Sequence, residues 1–242
     1  MEKLILAGAS GFLGSNLLEA CLMRNFEVIG IDDFSNGNLT NIANFLKDKK
    51  FYFIKRDVRL INPNEFPEKI RAIYHLAANL SSNHESYIEN VRITKKMLEI
   101  ARKKDAEIFV FVSSTKAIGL ITSKKSIDES FSCMPSDWYG KSKLECENLV
   151  RNFCETYGIK YYIFRPPRIF GPRDWQKTFV DLSRFISRAN VAPLSPIKIN
   201  VVYVKNLVEA LCLVLNRSRK PCTYIVSDGA FSISKISLTI AK

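Results

Sequence analysis

An α/β fold, a Rossmann-type doubly wound parallel sheet with a small, shortened C-terminal cap, is predicted by three observations. Short apolar, β-branched runs alternate with longer helix-like segments. A glycine-rich turn, Gly8-Ala9-Ser10-Gly11-Phe12-Leu13-Gly14, joins the first run to the first helix. The second run then closes on an acidic pair, Asp32-Asp33. Strands and helices in alternation imply βαβ units. Their right-handed crossovers leave a buried parallel sheet with a ligand crevice at the carboxyl ends of its strands.

Taken in order, Leu4-Ile5-Leu6-Ala7 is a continuous apolar run, as a strand covered on both faces requires. Residues 13–24 read as a helix with Leu13, Leu17 and Leu18 on one stripe. Further strands are expected at 27–31, 51–54, 72–76, 108–112 and 161–164, and further helices at 39–46, 87–103 and 137–157. The pattern changes after Gly171-Pro172. Residues 174–199, carrying Pro193 and Pro196, read as a helix and a loop. A strand at 200–204, a helix at 207–215, a strand at 223–226 and a helix from about Ser234 follow. Residues 1–170 are thus expected to form the nucleotide-binding domain with the catalytic residues. Residues 171–242 are expected to form a short substrate cap interleaved with pieces returning to the main sheet.

Composition narrows the function classes. Thirty-six basic and 24 acidic residues give a net charge of +12. The cations are scattered, as at Lys47, Lys49, Lys50, Arg102, Lys103 and Lys104, without a long basic block. That pattern suits a solvated surface, or steering of phosphorylated small molecules, better than nucleic-acid binding. The six cysteines contain no C-x-x-C pair and there are two histidines, His75 and His84, so neither a metal site nor a disulfide framework is expected. With no long apolar run and no leader-like start, a soluble cytoplasmic protein is expected, with no membrane partner.

The first turn carries the nucleotide signal. Gly8, Gly11 and Gly14 let the backbone turn tightly beside a pyrophosphate, and the opening N–H groups at Phe12, Leu13 and Gly14 face the anion. A three-glycine turn alone is weak; its place between a strand and a helix, with Asp32 about 20 residues on, makes it stronger. A carboxylate there accepts from both ribose hydroxyls and repels a 2′-phosphate, which favours NAD over NADP. Asp33 and Asn36 stand beside it, and Asn38 brings no cation to grip such a phosphate. The competing reading is a solvated turn before Asn36-Gly37.

The catalytic signal is Tyr139-Gly140-Lys141-Ser142-Lys143. A tyrosine and a lysine four apart share one helix face. A free phenol titrates near pH 10, too high for a base at neutral pH, and a nearby ammonium favours the phenolate. Tyr139 could then exchange a proton with a substrate hydroxyl. The spacing also arises by accident as a surface pair. Ser113-Ser114, at the end of an apolar strand, adds weight because a hydroxyl there lies at the expected crevice.

Five segments in one order resemble the extended short-chain dehydrogenases, the NAD-dependent epimerase/dehydratase family. They are the glycine turn, Tyr74-His75-Leu76-Ala77-Ala78, Val112-Ser113-Ser114, residues 139–143 and Arg165-Pro166-Pro167-Arg168-Ile169-Phe170-Gly171-Pro172. The resemblance implies Ser114, Tyr139 and Lys143 as the catalytic trio. It implies cofactor contacts at Gly8, Gly11, Gly14, Asp32, Asp57, Val58, Leu76, Ala77, Ala78 and Pro166, and also from Tyr139 and Lys143. Asn90 matches a supporting asparagine, and Tyr203-Val204-Lys205-Asn206 the return from the cap. The family resemblance also suggests a homodimer through the helices at 87–103 and 137–157.

Three departures bear on the substrate. Ala117-Ile118-Gly119 stands where the family commonly has V-Y-G, Arg168 where many nucleotide-sugar members have Asn, and the cap is short. The substrate site is therefore expected to be small, open or completed by another subunit. The leading expectation is an NAD-dependent epimerase or dehydratase of a nucleotide-linked sugar, with Arg168 or Arg173 available to a diphosphate. A dehydrogenase or reductase of a hydroxy compound and a non-catalytic nucleotide sensor are the alternatives.

Overall fold

The computed structural model describes residues 1–120, 127–174, 178–189, 192–216, 220 and 222–241. Its main sheet is built from β1 (Lys3–Ala7), β2 (Glu27–Asp32), β3 (Phe51–Lys55), β4 (Ala72–His75), β5 (Ile108–Val112), β6 (Lys160–Arg165) and β9 (Cys222–Ile225). All its pairings are parallel, in the order β3-β2-β1-β4-β5-β6-β9. The order reverses between β1 and β4, and such a switch point opens a crevice beyond the strand ends. A smaller sheet sets β8 (Lys198–Tyr203) between β7 (Arg168–Phe170) and β10 (Gly229–Ser232).

Helices cover both faces because successive strand residues point to opposite sides. Leu4 and Leu6 face α1 (Phe12–Met23) and α5 (Val204–Leu213), packing with Leu17, Leu18, Leu207 and Leu211. Ile5 and Ala7 face α2 (His84–Lys103) and α3 (Trp138–Tyr157), packing with Met97, Phe109, Cys154 and Ile163. The remaining helices are α4 (Thr178–Ala189) and α6 (Ile233–Ile240). None of the helices among the described residues is long and apolar enough to cross a membrane.

The differences from expectation are local. Residues 39–46 form two single 3₁₀ turns, not an α-helix, because Asn38 accepts the Thr40 N–H and Asn41 turns inward to donate to the Ser10 carbonyl. The helix expected from residue 87 begins at His84, where Asn83 and Ser86 cap each other's backbone N–H groups. β7 and β10 were not expected; three and four residues long, each is held through its pairing with β8. The helix expected within 174–199 is α4; residues 175–177 and 190–191 of that stretch lie outside the described residues.

Candidate active site

The glycine turn sits at the switch point. Gly8 adopts φ +86°, and a Cβ there would lie 2.9 Å from the Ala77 nitrogen, so the turn packs directly on the end of β4. A Cβ on Gly14 would come within 1.9 Å of the Gly8 carbonyl oxygen. Only glycine lets α1 start this close to the strand. Gly11 caps α1 without a side-chain hydrogen bond, and no acidic residue occupies the first turn. The N–H groups of Phe12, Leu13 and Gly14 therefore present partial positive charge that nothing on the helix neutralises.

Asp32, buried at the end of β2, is fixed by two backbone donors: Ser10 N–H to Oδ2 and Phe34 N–H to Oδ1, both 2.9 Å. Each oxygen keeps a second lone pair for a hydroxyl donor. Gly37 lies against this corner, where a Cβ would meet Ser10 Oγ at 1.9 Å. Asp33 and Asn36 are exposed; Asp33 accepts the Ser35 N–H, and Asn36 donates to the Ala78 carbonyl across the crevice. Asp57 is engaged by Arg59 through side chain and backbone, which holds its carboxyl below the usual range, while Val58 is buried. Leu76, Ala77 and Ala78 are half-buried at the β4 end. The cradle thus fits a dinucleotide: a close-packed glycine turn, an uncapped helix start and a fixed carboxylate lie in one line.

On the other side of the crevice, Asp137 caps α3 by accepting the Gly140 N–H and pairs with Lys116. A Cβ on Gly140 would lie 2.4 Å from the Lys116 carbonyl oxygen, so the helix start is pressed onto the loop after β5. Lys143, one turn beyond Tyr139, is 3% exposed and donates to the Val112 carbonyl at 2.9 Å. Its Nζ lies 5.7 Å from the Tyr139 ring centroid. Burial pulls the Lys143 ammonium down to about 8, partly offset by Cys146 and Glu147. Burial, with the Asp137 and Cys146 charges, pushes the Tyr139 phenol up to about 12. The paired serines divide. Ser113 is buried and donates to Glu147 at 2.6 Å, while Ser114 is half-buried and accepts the Lys116 N–H at 3.2 Å. Pro166 closes this side, its carbonyl accepting the Thr115 N–H.

The model of the NAD dependent epimerase/dehydratase family matches residues 4–227. The chain belongs to that family. A Bacillus subtilis protein named as an uncharacterized UDP-glucose epimerase, YtcB, is 33% identical over 184 residues, covering 71% of this chain and 58% of its own length. The human dTDP-D-glucose 4,6-dehydratase is 22% identical, with 98% of this chain and 71% of the relative covered. The fold is that of UDP-glucuronic acid 4-epimerase from Bacillus cereus in complex with NAD. The TM-score is 0.88 at 22% identity, over 100% of this chain and 85% of that one.

Against the family pattern, Ile118 is 1% exposed and fills the core where a tyrosine is common. Arg173 turns to α1, donating to the Ser15 carbonyl and pairing with Glu19, whereas Arg168 stands exposed at the start of β7. Two residues escaped the sequence reading. Glu147 lies wholly buried one turn after Lys143, a position that its spacing on α3 could have flagged. Asp228 accepts from the Tyr203 N–H and the Asn206 amide at the start of α5, and nothing local in sequence signals that contact.

Proposed function

We propose that the chain binds NAD and acts on a nucleotide-linked sugar as an epimerase or dehydratase, with Tyr139 as the acid/base. The reading is carried by Tyr139 and Lys143, one turn apart on the helix packed at the β5 end, two strands along the same sheet edge from the cradle formed by Gly8, Gly14 and Asp32. Gly8, Gly11, Phe12, Leu13 and Gly14 would hold the pyrophosphate, and Asp32, with Asp33 and Asn36, the adenine ribose. Asp57 and Val58 would border adenine, and Leu76, Ala77, Ala78 and Pro166 the rest of the cofactor. Bound NAD supplies a hydride acceptor and donor. Tyr139 takes the proton of a sugar hydroxyl as that carbon is oxidised, and returns it on reduction. Lys143 keeps an ammonium beside the phenol and can donate to ribose as well as to Val112. Ser114 donates to the reacting oxygen and holds charge as it develops. The basic surface, with Arg168 at the cap, attracts the diphosphate.

Residues 1–170 would serve as the NAD-binding unit and 171–242 as an interleaved substrate cap, in a cytoplasmic homodimer joined through α2 and α3. A second reading, a dehydrogenase that releases NADH each turn, is favoured by Ile118, which removes a substrate-facing tyrosine. Incubation of the full chain and NAD with UDP-glucose and dTDP-glucose, followed by chromatography and absorbance at 340 nm, separates the two. Product without net NADH supports the first reading, and NADH formed stoichiometrically from a free alcohol supports the second. Tyr139→Phe is expected to abolish turnover and leave NADH affinity within about twofold; full activity in that variant refutes the assignment.

A further inference from the structure

Behind the proposed catalytic pair lies a buried polar network that the reading above does not use. Glu147 sits on α3 one turn after Lys143 with no exposed surface. Its Oε1 accepts from Ser113 Oγ at 2.6 Å and from Arg165 Nε at 2.9 Å. Its Oε2 accepts from Arg165 Nη2 at 2.7 Å and Arg151 Nη2 at 2.9 Å. Arg151 also reaches Thr223 on β9. One carboxylate therefore joins the catalytic helix to the ends of β5 and β6. Ser113 directly precedes Ser114, and Arg165 directly precedes Pro166. A buried charge with this many donors is costly to assemble unless all of them are in place, so it tolerates one arrangement of the three elements.

We propose that Glu147 is a positioning residue for the acid/base pair: it sets α3 against the β5 and β6 ends and places a carboxylate one turn from Lys143. The role rests on Tyr139 and Lys143 acting as read above. The other groups facing Lys143 make the need clear. From β4 comes His75, which burial and then Lys143 itself pull down to about 3, leaving it neutral at physiological pH. From β5 come the Phe111 ring and the Val112 carbonyl. α2 contributes the uncharged Asn90 and Thr94, which donate to Ser142 and Cys146 on α3. On α3 itself lie Tyr139 and Cys146, a phenol and a thiol that burial pushes up. Arg165, from β6, pairs with Glu147. Against that burial, Cys146 and then Glu147 raise the Lys143 ammonium, and Glu147 is the carboxylate of the pair.

The experiment is a pH titration of Lys143 in the full chain labelled with 13C-lysine, its signal assigned by its loss in Lys143→Met. The wild-type midpoint is expected at about 8. Glu147→Gln should lower it by about one unit, because an opposite charge is lost. Arg151→Met should raise it, because a cation that screens Glu147 is lost. Glu147→Asp should keep it within about 0.3 unit while kcat falls, since the charge is kept and the reach shortened. An unmoved midpoint in folded Glu147→Gln, or a downward shift in Arg151→Met, overturns the proposal. Should Glu147→Gln fail to fold, the sign of the Arg151→Met shift decides alone. The titration needs no substrate, so a wild-type chain without turnover would sink the enzymatic reading while leaving this result interpretable.

Discussion

Replacing Lys143 with methionine should make the protein more stable at pH 7 relative to pH 10. Lys143 is buried, and burial pulls its ammonium down to about 8 from an ordinary 10.5. Below the folded value, both folded and unfolded chains hold the proton, and the folded state carries the full cost of a buried charge. Between 8 and 10.5 the unfolded chain binds more protons than the folded one, so stability rises with pH across that window. The separation corresponds to about 3 kcal/mol at neutral pH, of which about 2.5 kcal/mol is relieved by pH 10. Methionine fills similar space and carries no charge, but it leaves the Val112 carbonyl without its donor, an offset that does not depend on pH. Urea unfolding of wild type and Lys143→Met at pH 7, 8, 9 and 10 isolates the effect, because titrating groups that do not interact with Lys143 cancel in the difference. The stability of the variant minus that of wild type should decline by about 2.5 kcal/mol from pH 7 to 10. A difference that stays flat to within about 0.5 kcal/mol over that range would refute the reasoning.

Three further outcomes follow from the same geometry. Gly14→Ala places a methyl group 1.9 Å from the Gly8 carbonyl, which is backbone and cannot swing away; NADH affinity by fluorescence titration should fall at least about tenfold, with a loss of stability of about 1–3 kcal/mol. Asp32→Ala removes the acceptor of the Ser10 and Phe34 N–H groups, so the NADH-over-NADPH preference should weaken in the same titration; an unchanged preference would place the ribose elsewhere. Asp137→Asn keeps the cap on α3 but removes a charge that raises the Tyr139 phenol. The acid limb of kcat should therefore move about half a unit toward acid, and an alkaline shift would contradict it.

How much was legible in advance depended on how local each signal is. Leu4–Ala7 and Ile108–Val112 are buried on both faces, so continuous apolar runs announced them. The glycine turn and the Tyr139–Lys143 pair were legible because a tight turn and one helical pitch each fix residue spacing. Residues 39–46 misled because their apolar periodicity is real but Asn38 and Asn41 give the backbone other partners. β7 and β10 are too short to carry a period and exist only through β8. The division of labour between Ser113 and Ser114 was drawn from family resemblance. What separates them in the fold is Glu147, 34 residues away from Ser113, and no local pattern reports a contact of that range.

The two shifted groups in the crevice share one cause and lean in opposite directions. Burial raises the Tyr139 phenol to about 12 and lowers the Lys143 ammonium to about 8. In both cases the dry surroundings resist charge, so at neutral pH the phenol keeps its proton and the lysine keeps its charge only with support. A tyrosine at about 12 is a poor base, which means the chain alone is set against premature proton loss. The proposed role of Tyr139 would then need positive charge close to the phenol, and the cradle of Gly8, Gly14 and Asp32 lies at the carboxyl ends of the same sheet. On the proposed reading, proton transfer would be tied to occupancy of the cradle. Lys143 is held through the Val112 carbonyl, and its helix through the buried contacts of Glu147 one turn on, so the fold fixes the lysine from two sides.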